Sequence, residues 1–449
     1  MADRGPTVAL LTLGCKLNQA DSQAIARRLA GEGVRVVDRP LAGADATVIN
    51  TCSVTHVADR KARHLVRMAR RLSPGAPVVL TGCYAETAPA DAPALAEANL
   101  VLKNGDKPSI PDWLLERLRE RGDPAAGCPT PVRDGLRRDG RPSGRTRAFV
   151  KIQEGCDELC AFCIVPYTRG REASVPVERV VEEVRAREAE GVREVVLTGT
   201  QLGNYGRDLG PGGPPSGGWR ERGPRRLLAA LLERTSVARI RLSSLQAQDI
   251  SPELLRLWRD ARLCPHFHLP LQSGADDVLG RMRRRYTADE FRRAVALIRE
   301  HVPDVAITTD VIAGFPGETD ADFEATCRLV EEVEFAAVHA FPYSRRPGTG
   351  AALMSGQLAA PLKRSRLERL LTLGRASAGA FRRRFLGRTL DVLWEQESDN
   401  RWQGLTPNYI RVYTCADADL ANRLLATRLV GLADDGVSGV LEPAAVASR

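Results

Sequence analysis

The sequence has no long hydrophobic run. No stretch of its 449 residues approaches the roughly 20 apolar residues that a membrane-spanning helix requires. Residues 1–6 also lack the basic segment, followed by a long apolar segment, that is typical of a secretory signal. Nor does any Gly-Lys-Ser/Thr follow the glycine-rich stretch 199–206, which excludes a phosphate-binding P-loop there. We therefore expect no membrane association and a cytoplasmic location.

Three thiols lie within one short loop, and no fourth ligand is close to them. Cys156, Cys160 and Cys163, here called the cysteine loop, follow the spacing Cys-x-x-x-Cys-x-Phe-Cys, and the nearest other thiols are Cys128 and Cys264. A structural zinc knuckle would favour a nearby fourth Cys or His. A cubane of four irons held by three thiolates keeps one iron without a protein ligand, and an open metal position usually means chemistry. An iron–sulfur cluster is therefore favoured over a zinc knuckle or a redox-sensing thiol trio.

Composition and charge narrow the class of protein. Ten cysteines in a long cytosolic chain are more typical of metal ligands and buried thiols than of a disulfide framework. The 65 Lys and Arg residues against 56 acids give a net charge of +9, which weakly favours a polyanionic partner. Part of the excess lies just before the cysteine loop, at Arg133, Arg137, Arg138, Arg141, Arg145 and Arg147. This cluster is open to two interpretations, a solvated linker or an arm that follows phosphates.

The first part of the chain alternates short apolar runs with amphipathic segments, which predicts an open α/β sheet. The predicted strands are 8–13, 34–37, 46–49 and 78–80, and the predicted helices are 21–30 and 57–72. Cys15, Cys52 and Cys83, here called the sheet-edge cysteines, each follow a predicted strand. Ligands of such sheets lie beyond the carboxyl ends of the strands. We expect these thiols to converge and bind a second cluster, and we interpret the nearby His56 and His64 as surface or helix-face residues.

The central part alternates strands and helices again and predicts an incomplete TIM-like barrel of about six β/α units. The predicted strands are 149–153, 194–197, 239–242, 267–269, 305–310 and 336–341. The functional residues of such barrels lie at the carboxyl ends of the strands. Small residues there let the backbone approach a bound ligand, and polar side chains can bond its polar groups. The candidates at these ends are Gly199, Ser243, Ser244, Gln272, Asp310, Gly314 and Tyr343.

The last part, from about residue 384, is predicted to be a small β-rich unit with strands at 390–394, 404–405, 409–413, 428–432 and 439–441. Residues 382–449 contain nine Arg and nine acids, so this unit has no net charge. RNA binding would then depend on local charge and on stacking by Trp402, Tyr409 or Tyr413, with base stacking worth ~1–3 kcal/mol per base. The alternative is a barrel that only caps the preceding domain.

Several short motifs resemble the radical S-adenosylmethionine (SAM) methylthiotransferases over about residues 7–446. They are the cysteine loop, Thr-Leu-Gly-Cys-Lys-Leu-Asn-Gln at 12–19, Asn-Thr-Cys-Ser-Val-Thr at 50–55, Thr-Gly-Cys-Tyr-Ala at 81–85, and residues 268–274, 281–287 and 341–349. Residues 404–409 resemble the TRAM module, a small barrel that members of this family use to grip RNA. The resemblance implies a partial (β/α)6 radical SAM barrel. One departure, Gln246-Ala247-Gln248 where Glu-Pro is expected, puts the contacts of that loop in doubt.

The resemblance also implies the cofactors. The cysteine loop would hold a 4Fe–4S cluster whose open iron chelates SAM, and cleavage of SAM there gives a 5′-deoxyadenosyl radical. The sheet-edge cysteines would hold an auxiliary 4Fe–4S cluster at which sulfur is delivered. Phe162 and the strand-end candidates would contact SAM. An electron donor such as flavodoxin or ferredoxin would supply the electron.

The implied reaction inserts a methylthio group at C2 of an adenine, which must be unstacked as in a tRNA anticodon loop. The motif Gly-Cys-Lys-Leu-Asn at 14–18 and the residues 59–63 resemble the enzymes acting on N6-threonylcarbamoyladenosine at position 37. Lys16, Arg60 and Lys61 could meet the carboxylate of its threonyl group. The alternatives are N6-isopentenyladenosine 37, an aspartate of a ribosomal protein, or a non-catalytic iron–sulfur protein that binds RNA or transfers electrons.

The domain organisation follows from these modules. We predict an N-terminal domain at 1–110, a basic linker at 111–147, the radical SAM barrel at 148–381 and the TRAM-like barrel at 382–449. The chain is expected to act as a monomer. The remaining cysteines have no partner at ligand spacing and are interpreted as structural; they are Cys128, Cys264, Cys327 and Cys415.

Overall fold

The computed structural model describes residues 5–120, 146–209 and 223–443. Across these ranges, no helix combines the length and the apolar character needed to cross a membrane. Cys128 and the arginines from Arg133 to Arg145 lie outside the described residues, so the linker interpretations stay predictions.

The N-terminal domain is a parallel sheet with helices on both faces. Its strands are β1 (Thr7–Thr12), β2 (Arg35–Val37), β3 (Ala46–Thr51), β4 (Val78–Gly82) and β5 (Leu100–Leu102). Its helices are α1 (Lys16–Gly31), α2 (His56–Leu72), α3 (Cys83–Thr87), α4 (Pro93–Ala96) and α5 (Ile110–Glu120), with a 3-10 helix at Asn104–Ser109. The order across the sheet is β2-β1-β3-β4-β5, with β1, β3 and β4 adjacent. Helices α1 and α5 bury one face of the sheet and α2 the other.

Helix α5 occupies residues that the sequence analysis assigns to the linker. Its Ile110, Leu114 and Leu118 are buried against the sheet with Val8 and Val48. These apolar residues recur at spacings of three and four, which is the pattern of a helix with one buried face. The described start of the predicted linker is thus a packed helix.

The central domain is an open barrel of parallel strands. Its barrel strands are β6 (Arg147–Lys151), β9 (Glu194–Thr198), β10 (Arg239–Leu242), β11 (His266–His268), β12 (Ala306–Ala313) and β13 (Ala337–Pro342), and two short strands are β7 (Gln153–Glu154) and β8 (Ala173–Ser174). The strands form two three-stranded sheets, β6-β9-β10 and β11-β12-β13, and a single parallel bridge joins Ile240 of β10 to Leu263, which precedes β11. Among the described residues, β6 and β13 do not pair, so the barrel is open between them.

The helices of the central domain pack either on the barrel core or beside the cysteine loop. They are α6 (Val165–Arg169), α7 (Val177–Ala189), α8 (Gly223–Arg234), α9 (Pro252–Leu255), α10 (Asp276–Arg281), α11 (Ala288–His301), α12 (Asp320–Val333), α13 (Gly350–Leu353) and α14 (Ala360–Arg383). Helices α11 and α12 begin with capping boxes at Thr287 and Thr319, which satisfy free N–H groups at those ends. The core between helices and strands is continuous, and the six predicted β/α units are therefore present.

The C-terminal unit is a closed five-stranded barrel. Its strands are β14 (Thr389–Ser398), β15 (Arg401–Leu405), β16 (Arg411–Thr414), β17 (Leu424–Leu432) and β18 (Val437–Leu441). Their order is β14-β15-β16-β18-β17. Trp394 and Trp402 lie in its core with Val412 and Val437. The expectation that Trp402 stacks on RNA is wrong, because its ring is 2% exposed and fills this core.

Polar contacts fasten the C-terminal barrel to the amino ends of the central strands. Arg239 on β10 donates to the carbonyl oxygens of Leu405 at 2.9 Å and Asp391 at 2.6 Å. Arg241 donates to the carbonyl oxygen of Pro407 at 2.9 Å. In the same turn, the ring of Tyr409 stacks on His266 of β11 at 4.6 Å between ring centroids. Tyr409 is therefore a contact between domains.

Candidate active site and cluster-binding sites

The sheet-edge cysteines meet at one end of the N-terminal sheet. Cys15 precedes α1, Cys52 follows β3, and Cys83 begins α3 directly after β4. Burial, and to a smaller extent the nearby thiols of Cys83 and Cys15, raises the pKa of Cys52 to about 11. At Gly14, which has a φ of +99°, a Cβ would lie 2.6 Å from the Cβ of Cys52. Glycine there lets the two cysteine-bearing loops approach each other.

Two buried asparagines hold these loops in place. The side chain of Asn18 donates to the carbonyl oxygen of Leu13 at 2.7 Å and to that of Thr51 at 2.9 Å. Asn50 in turn donates to the carbonyl oxygen of Asn18 at 3.0 Å. Because Leu13 precedes Cys15 and Thr51 precedes Cys52, these bonds fix the distance between the two thiols.

The cysteine loop is fixed by backbone contacts with distant segments. The amide of Cys156 donates to the carbonyl oxygen of Gly170 at 3.1 Å, and that of Ala161 donates to Met282 at 3.0 Å. Burial raises the pKa of Cys156 and of Cys163 to about 12, and the neighbouring loop thiols add to the shift. The three thiols are thus close enough to interact.

A buried charge network lies between the two sets of cysteines. Lys107 contacts Asp21 at 2.7 Å, and Lys151 contacts both Asp21 and Glu154 at 2.8 Å. The guanidinium of Arg169, 2% exposed, pairs with Glu154 and lies 3.5 Å from Asp21. Burial disfavours the charge of Arg169, but Cys83 and then Glu154 outweigh it and raise its pKa. Three cations therefore share two carboxylates beside the sheet-edge cysteines.

This excess of positive charge, in which Lys107 and Arg169 are buried and Lys151 is 35% exposed, fits an anionic cluster. A buried unpaired charge is costly, and it is retained where a partner neutralises it. A cubane bound by three thiolates carries a net negative charge and would balance the third cation. In the described part of the chain, no three Cys, His, Asp or Glu side chains surround one metal ion. A cubane distributes its ligands over separate irons, so both cysteine triads keep their fit to such a cluster.

Some strand-end candidates present polar groups that lack partners. The hydroxyl of Ser243, at the end of β10, is buried and makes no hydrogen bond within the described residues, and the hydroxyl of Thr200 after β9 is in the same state. Gln272 has a φ of 64°, a left-handed conformation that costs a non-glycine residue free energy and often marks functional sites. Asp310 faces the barrel interior, 3.2 Å from Nε2 of His268. Ser244, beside Ser243, is partly exposed.

Other candidates make packing contacts with neighbouring segments. A Cβ at Gly199 would lie 2.9 Å from the carbonyl oxygen of residue 153, and one at Gly314 would lie 2.3 Å from Cγ of Lys363. Phe162 and Tyr343 pack edge-on against Phe315, at 6.5 and 5.5 Å between ring centroids. A contact of these four residues with SAM stays a prediction.

Lys16 points into the open barrel. Its ammonium lies 6.0 Å from the ring centroid of Tyr409, and the guanidinium groups of Arg147 and Arg241 lie 5.8 and 4.7 Å from the same ring. These residues and Asp310 are here called the barrel chamber. Burial lowers the pKa of Lys16, and the positive charges of Arg241 and Arg147 lower it further, while Tyr409 and Asp310 oppose the shift. No ion pair joins Lys16 to another described residue.

The open side of the barrel leads outward through a crevice of about 2330 Å³. Its walls come from α1, β6, β12, β13 and the C-terminal barrel, and its inner end includes Thr308, His339 and Tyr409. The arginines of the crevice outnumber its acids by nine to five; they are Arg27, Arg35, Arg39, Arg147, Arg187, Arg193, Arg382, Arg411 and Arg423. The crevice is thus rich in arginine, and it borders the barrel chamber at Arg147 and Tyr409.

Sequence reasoning missed the residues that link the sites. Arg169 and Lys107 contact groups more than 80 residues away, so no local spacing predicts their role. Arg284 lies within the quoted motif 281–287, but the motif gives no indication that it contacts Cys160. Arg60 and Lys61 are exposed on α2, whereas Lys16 is in the barrel chamber.

Comparisons with known proteins identify the class of enzyme to which the chain belongs. Residues 150–330 match the Radical SAM superfamily, and residues 7–102 match the family described as Uncharacterized protein family UPF0004. Among solved structures, the fold is similar to the radical SAM methyltransferase TsrM from Kitasatospora setae, solved with cobalamin and a [4Fe-4S] cluster bound. The TM-score is 0.52 at 15% identity, covering 78% of this chain and 77% of that one. The predicted fold class is confirmed, and the chain is a radical SAM enzyme.

Curated relatives give the family. Threonylcarbamoyladenosine tRNA methylthiotransferase MtaB of Bacillus subtilis is 34% identical, covering 94% of both chains. The MtaB of Thermotoga maritima is 37% identical over 87% of this chain and 86% of its own. A tRNA-2-methylthio-N(6)-dimethylallyladenosine synthase of Maricaulis maris is 35% identical over 96% of both. The chain belongs to the radical SAM methylthiotransferase family. Its cofactors are SAM and 4Fe–4S clusters, of which methylthiotransferases carry two.

Proposed function

We propose that the protein transfers a methylthio group to C2 of N6-threonylcarbamoyladenosine at position 37 of tRNA. The names of two relatives include this nucleoside, but a dimethylallyladenosine synthase is equally similar, so identity alone does not choose between them. The barrel chamber supplies the observation that favours the threonylcarbamoyl group.

The substituent on N6 distinguishes the two nucleosides. A threonylcarbamoyl group has a carboxylate, whereas a dimethylallyl group is apolar. Lys16 lies in a partly buried chamber beside Arg147 and Arg241 and has no ion pair among the described residues. A bound carboxylate would offset the cost of burying its ammonium, while an apolar group would leave that charge unpaired. Lys16 directly follows Cys15, so the group it binds would lie beside the auxiliary cluster.

The two cysteine triads would hold the clusters. The cysteine loop would bind the cluster that engages SAM, and the sheet-edge cysteines would bind the auxiliary cluster. When bound, these cofactors supply radical chemistry at an unactivated carbon and the sulfur that is transferred. The chain's own contribution is to orient SAM and base. The SAM contacts that the geometry supports best are Ser243 directly after β10, Gln272 after β11, and Asp310 within β12.

The crevice gives a route for the tRNA. An excess of arginine attracts phosphates, and the crevice is bounded partly by the C-terminal barrel, the TRAM-like module. The crevice reaches the amino ends of the central strands, at Arg147, Ala306 and Ala337, so it would hold the tRNA backbone, while the unstacked base would meet SAM at the carboxyl ends. The protein would act in the cytoplasm as a monomer, with a flavodoxin or ferredoxin as electron donor.

Substitution of Lys16 tests the substrate. We expect Lys16→Gln to lower kcat/KM on threonylcarbamoyl tRNA by about tenfold or more, since a hydrogen bond to a charged group contributes ~1.5–3 kcal/mol. Lys16→Arg should retain more activity, and the exposed Lys103→Gln should match the wild type. Nucleosides are measured by mass spectrometry after anaerobic reaction, with dimethylallyl tRNA as the second substrate. Equal kinetics of Lys16→Gln and wild type, or turnover of dimethylallyl tRNA alone, would contradict the proposal.

A cellular experiment complements the kinetics. A strain that lacks the gene should lose the 2-methylthio mark from threonylcarbamoyladenosine and from no other base. Loss of the mark from dimethylallyladenosine instead would assign the chain to the other substrate.

A further inference from the structure

Arg284 touches a cysteine of the cysteine loop. It follows Arg283, whose φ of 59° turns the chain after α10. Nη1 of Arg284 donates to Sγ of Cys160 at 3.4 Å, and Nε donates to the hydroxyl of Tyr286 at 3.2 Å. The guanidinium also lies 4.9 Å from the ring centroid of Tyr286. Its position against the sulfur is thus determined by fixed neighbours.

The side chain of Gln246 completes this arrangement. Its Oε1 accepts a hydrogen bond from Nη2 of Arg284 at 2.9 Å, and its Nε2 donates to the carboxylate of Glu158 at 3.0 Å. The amide offers an acceptor on one side and a donor on the other, which a carboxylate does not. A carboxylate at position 246 would face the carboxylate of Glu158 and would also pair with the charge of Arg284. The glutamine that departs from the expected Glu-Pro therefore orients Arg284 without neutralising it.

The positive charge of Arg284 lies beside Sγ of Cys160 and is not neutralised by a carboxylate of the described residues. Among residues 5–120, 146–209 and 223–443, no carboxylate forms an ion pair with Arg284. Burial disfavours its charge, but Tyr286 and Cys160 outweigh this effect and raise its pKa, so it stays cationic. The neighbouring Arg285 provides a contrast, because it is 61% exposed and lies 3.6 Å from Glu158.

We propose that Arg284, oriented by Gln246, raises the reduction potential of the cluster held by the cysteine loop. The inference rests on the proposed assignment of that cluster. Reduction adds one electron, taken from a flavodoxin- or ferredoxin-type donor, and makes the cluster more negative. A cation and an N–H donor at a ligand sulfur stabilise that reduced state, since hydrogen bonds to the sulfurs and local charge set the potential of such clusters. Arg284 acts through Cys160 and is a positioning residue for the electron-transfer step.

Potentiometric titration of the full-length, anaerobically loaded protein tests the inference. Electron paramagnetic resonance follows each reduced cluster, and the signal that changes on addition of SAM belongs to the cluster that engages SAM. We expect Arg284→Met to lower the equilibrium constant for one-electron reduction of that cluster at least tenfold, equivalent to about 59 mV. Arg284→Lys, which keeps the charge but not the planar donor, should lower it about threefold. The auxiliary signal should not move.

Arg285→Met is the matched control. It removes one positive charge from the adjacent residue, which does not contact a cysteine. The equilibrium constant for reduction of the cluster in this variant should agree with that of the wild type within twofold. An unchanged potential in Arg284→Met, or an equal fall in Arg285→Met, overturns the inference. If Arg284→Met takes up no iron, the test uses Arg284→Lys instead. An unchanged reduction potential in Arg284→Lys would then overturn the inference. A wild-type protein without a SAM-responsive cluster would overturn both the inference and the proposed function, whereas an unchanged potential overturns the inference alone.

Discussion

The two sets of cysteines offer similar ligands but are assembled in different ways. The cysteine loop brings three thiols together within residues 156–163, so its spacing is visible in the sequence. The sheet-edge cysteines span residues 15–83 and meet only because β1, β3 and β4 are neighbours in a parallel sheet. One site therefore depends on a local turn, and the other depends on the packing of a domain.

The two sites also differ in what surrounds them. The cysteine loop is fixed by backbone hydrogen bonds to Gly170 and Met282, with Arg284 near its sulfur. The sheet-edge site is fixed by side chains, chiefly Asn18 and Arg169. Single substitutions should therefore affect the sheet-edge site more selectively than the loop, and the following predictions test this difference from the largest effect to the smallest.

Removal of either set of thiols should have the largest effect. With Cys15, Cys52 and Cys83 changed to Ala, the protein should bind about four irons instead of about eight, release 5′-deoxyadenosine from SAM and make no methylthio product. Cys160→Ala should abolish 5′-deoxyadenosine as well. Iron analysis and product chromatography measure both outcomes. Intact methylthiolation without the sheet-edge cysteines would contradict the separation of roles.

Arg169→Met should selectively weaken the sheet-edge site. The change removes a buried cation that pairs with Glu154, and breaking a buried ion pair costs ~3–5 kcal/mol. We expect partial loss of auxiliary iron and a lower melting temperature of the iron-free protein. Arg171→Met, which removes an arginine that is 90% exposed, is the control and should behave as wild type. Equal iron content in both variants would argue against a link between Arg169 and the cluster.

Arg346→Met tests how the central domain supports the loop that follows Cys52. The guanidinium of Arg346 donates to Ser53 and Asp59, both at 2.8 Å, and the pair with Asp59 is buried. We expect a loss of unfolding free energy of ~3 kcal/mol, measured by urea denaturation of the iron-free protein. Arg345→Met removes only a hydrogen bond to a carbonyl oxygen and should cost ~1 kcal/mol. A larger loss of unfolding free energy in Arg345→Met than in Arg346→Met would contradict the role assigned to Arg346.

The smallest effect should be a pH dependence from Asp21. Burial alone would raise the pKa of this carboxyl, but the charges of Lys107, Lys151 and Arg169 outweigh burial and lower it from the ordinary 3.8. A lowered folded-state pKa means that the stabilisation is fully present above the unfolded value and is lost as pH falls through the folded value. The stability difference between wild type and Asp21→Asn should therefore be constant above about pH 5 and shrink below pH 3.8. A difference that grows on acidification would contradict this sign.

The sequence predicts the parts of the molecule that depend on local patterns. Apolar runs and the residues at their ends locate the strands before Cys15, Cys52 and Cys83, and the tail strands agree with the structure to within a few residues at most ends. The shared position of three cysteines after strands gives their convergence, because strand carboxyl ends of a parallel sheet lie at one edge. The residues of both candidate cluster sites could therefore be predicted from the sequence.

The parts that sequence does not predict depend on contacts between domains. Trp402 is an aromatic residue of the kind that stacks on bases, but in the folded protein its side chain is packed in the core of the C-terminal barrel. Tyr409 has a φ of 69° and turns toward His266, which no periodicity indicates. Arg284 meets Cys160 across 124 positions, and Lys107 meets Asp21 across 86. Such contacts need a fold before they can be recognised.

The docking of residues 405–409 beneath the central strands affects how deletion experiments are interpreted. Leu405 and Pro407 accept hydrogen bonds from Arg239 and Arg241, and Tyr409 covers His266. A protein shortened before β14 would lose the floor of its catalytic domain and hydrate two arginines that are now sequestered. Impaired catalysis in such a truncation would report a damaged enzyme as much as a missing grip on RNA, so point changes on the outer surface of the module are the sounder experiment.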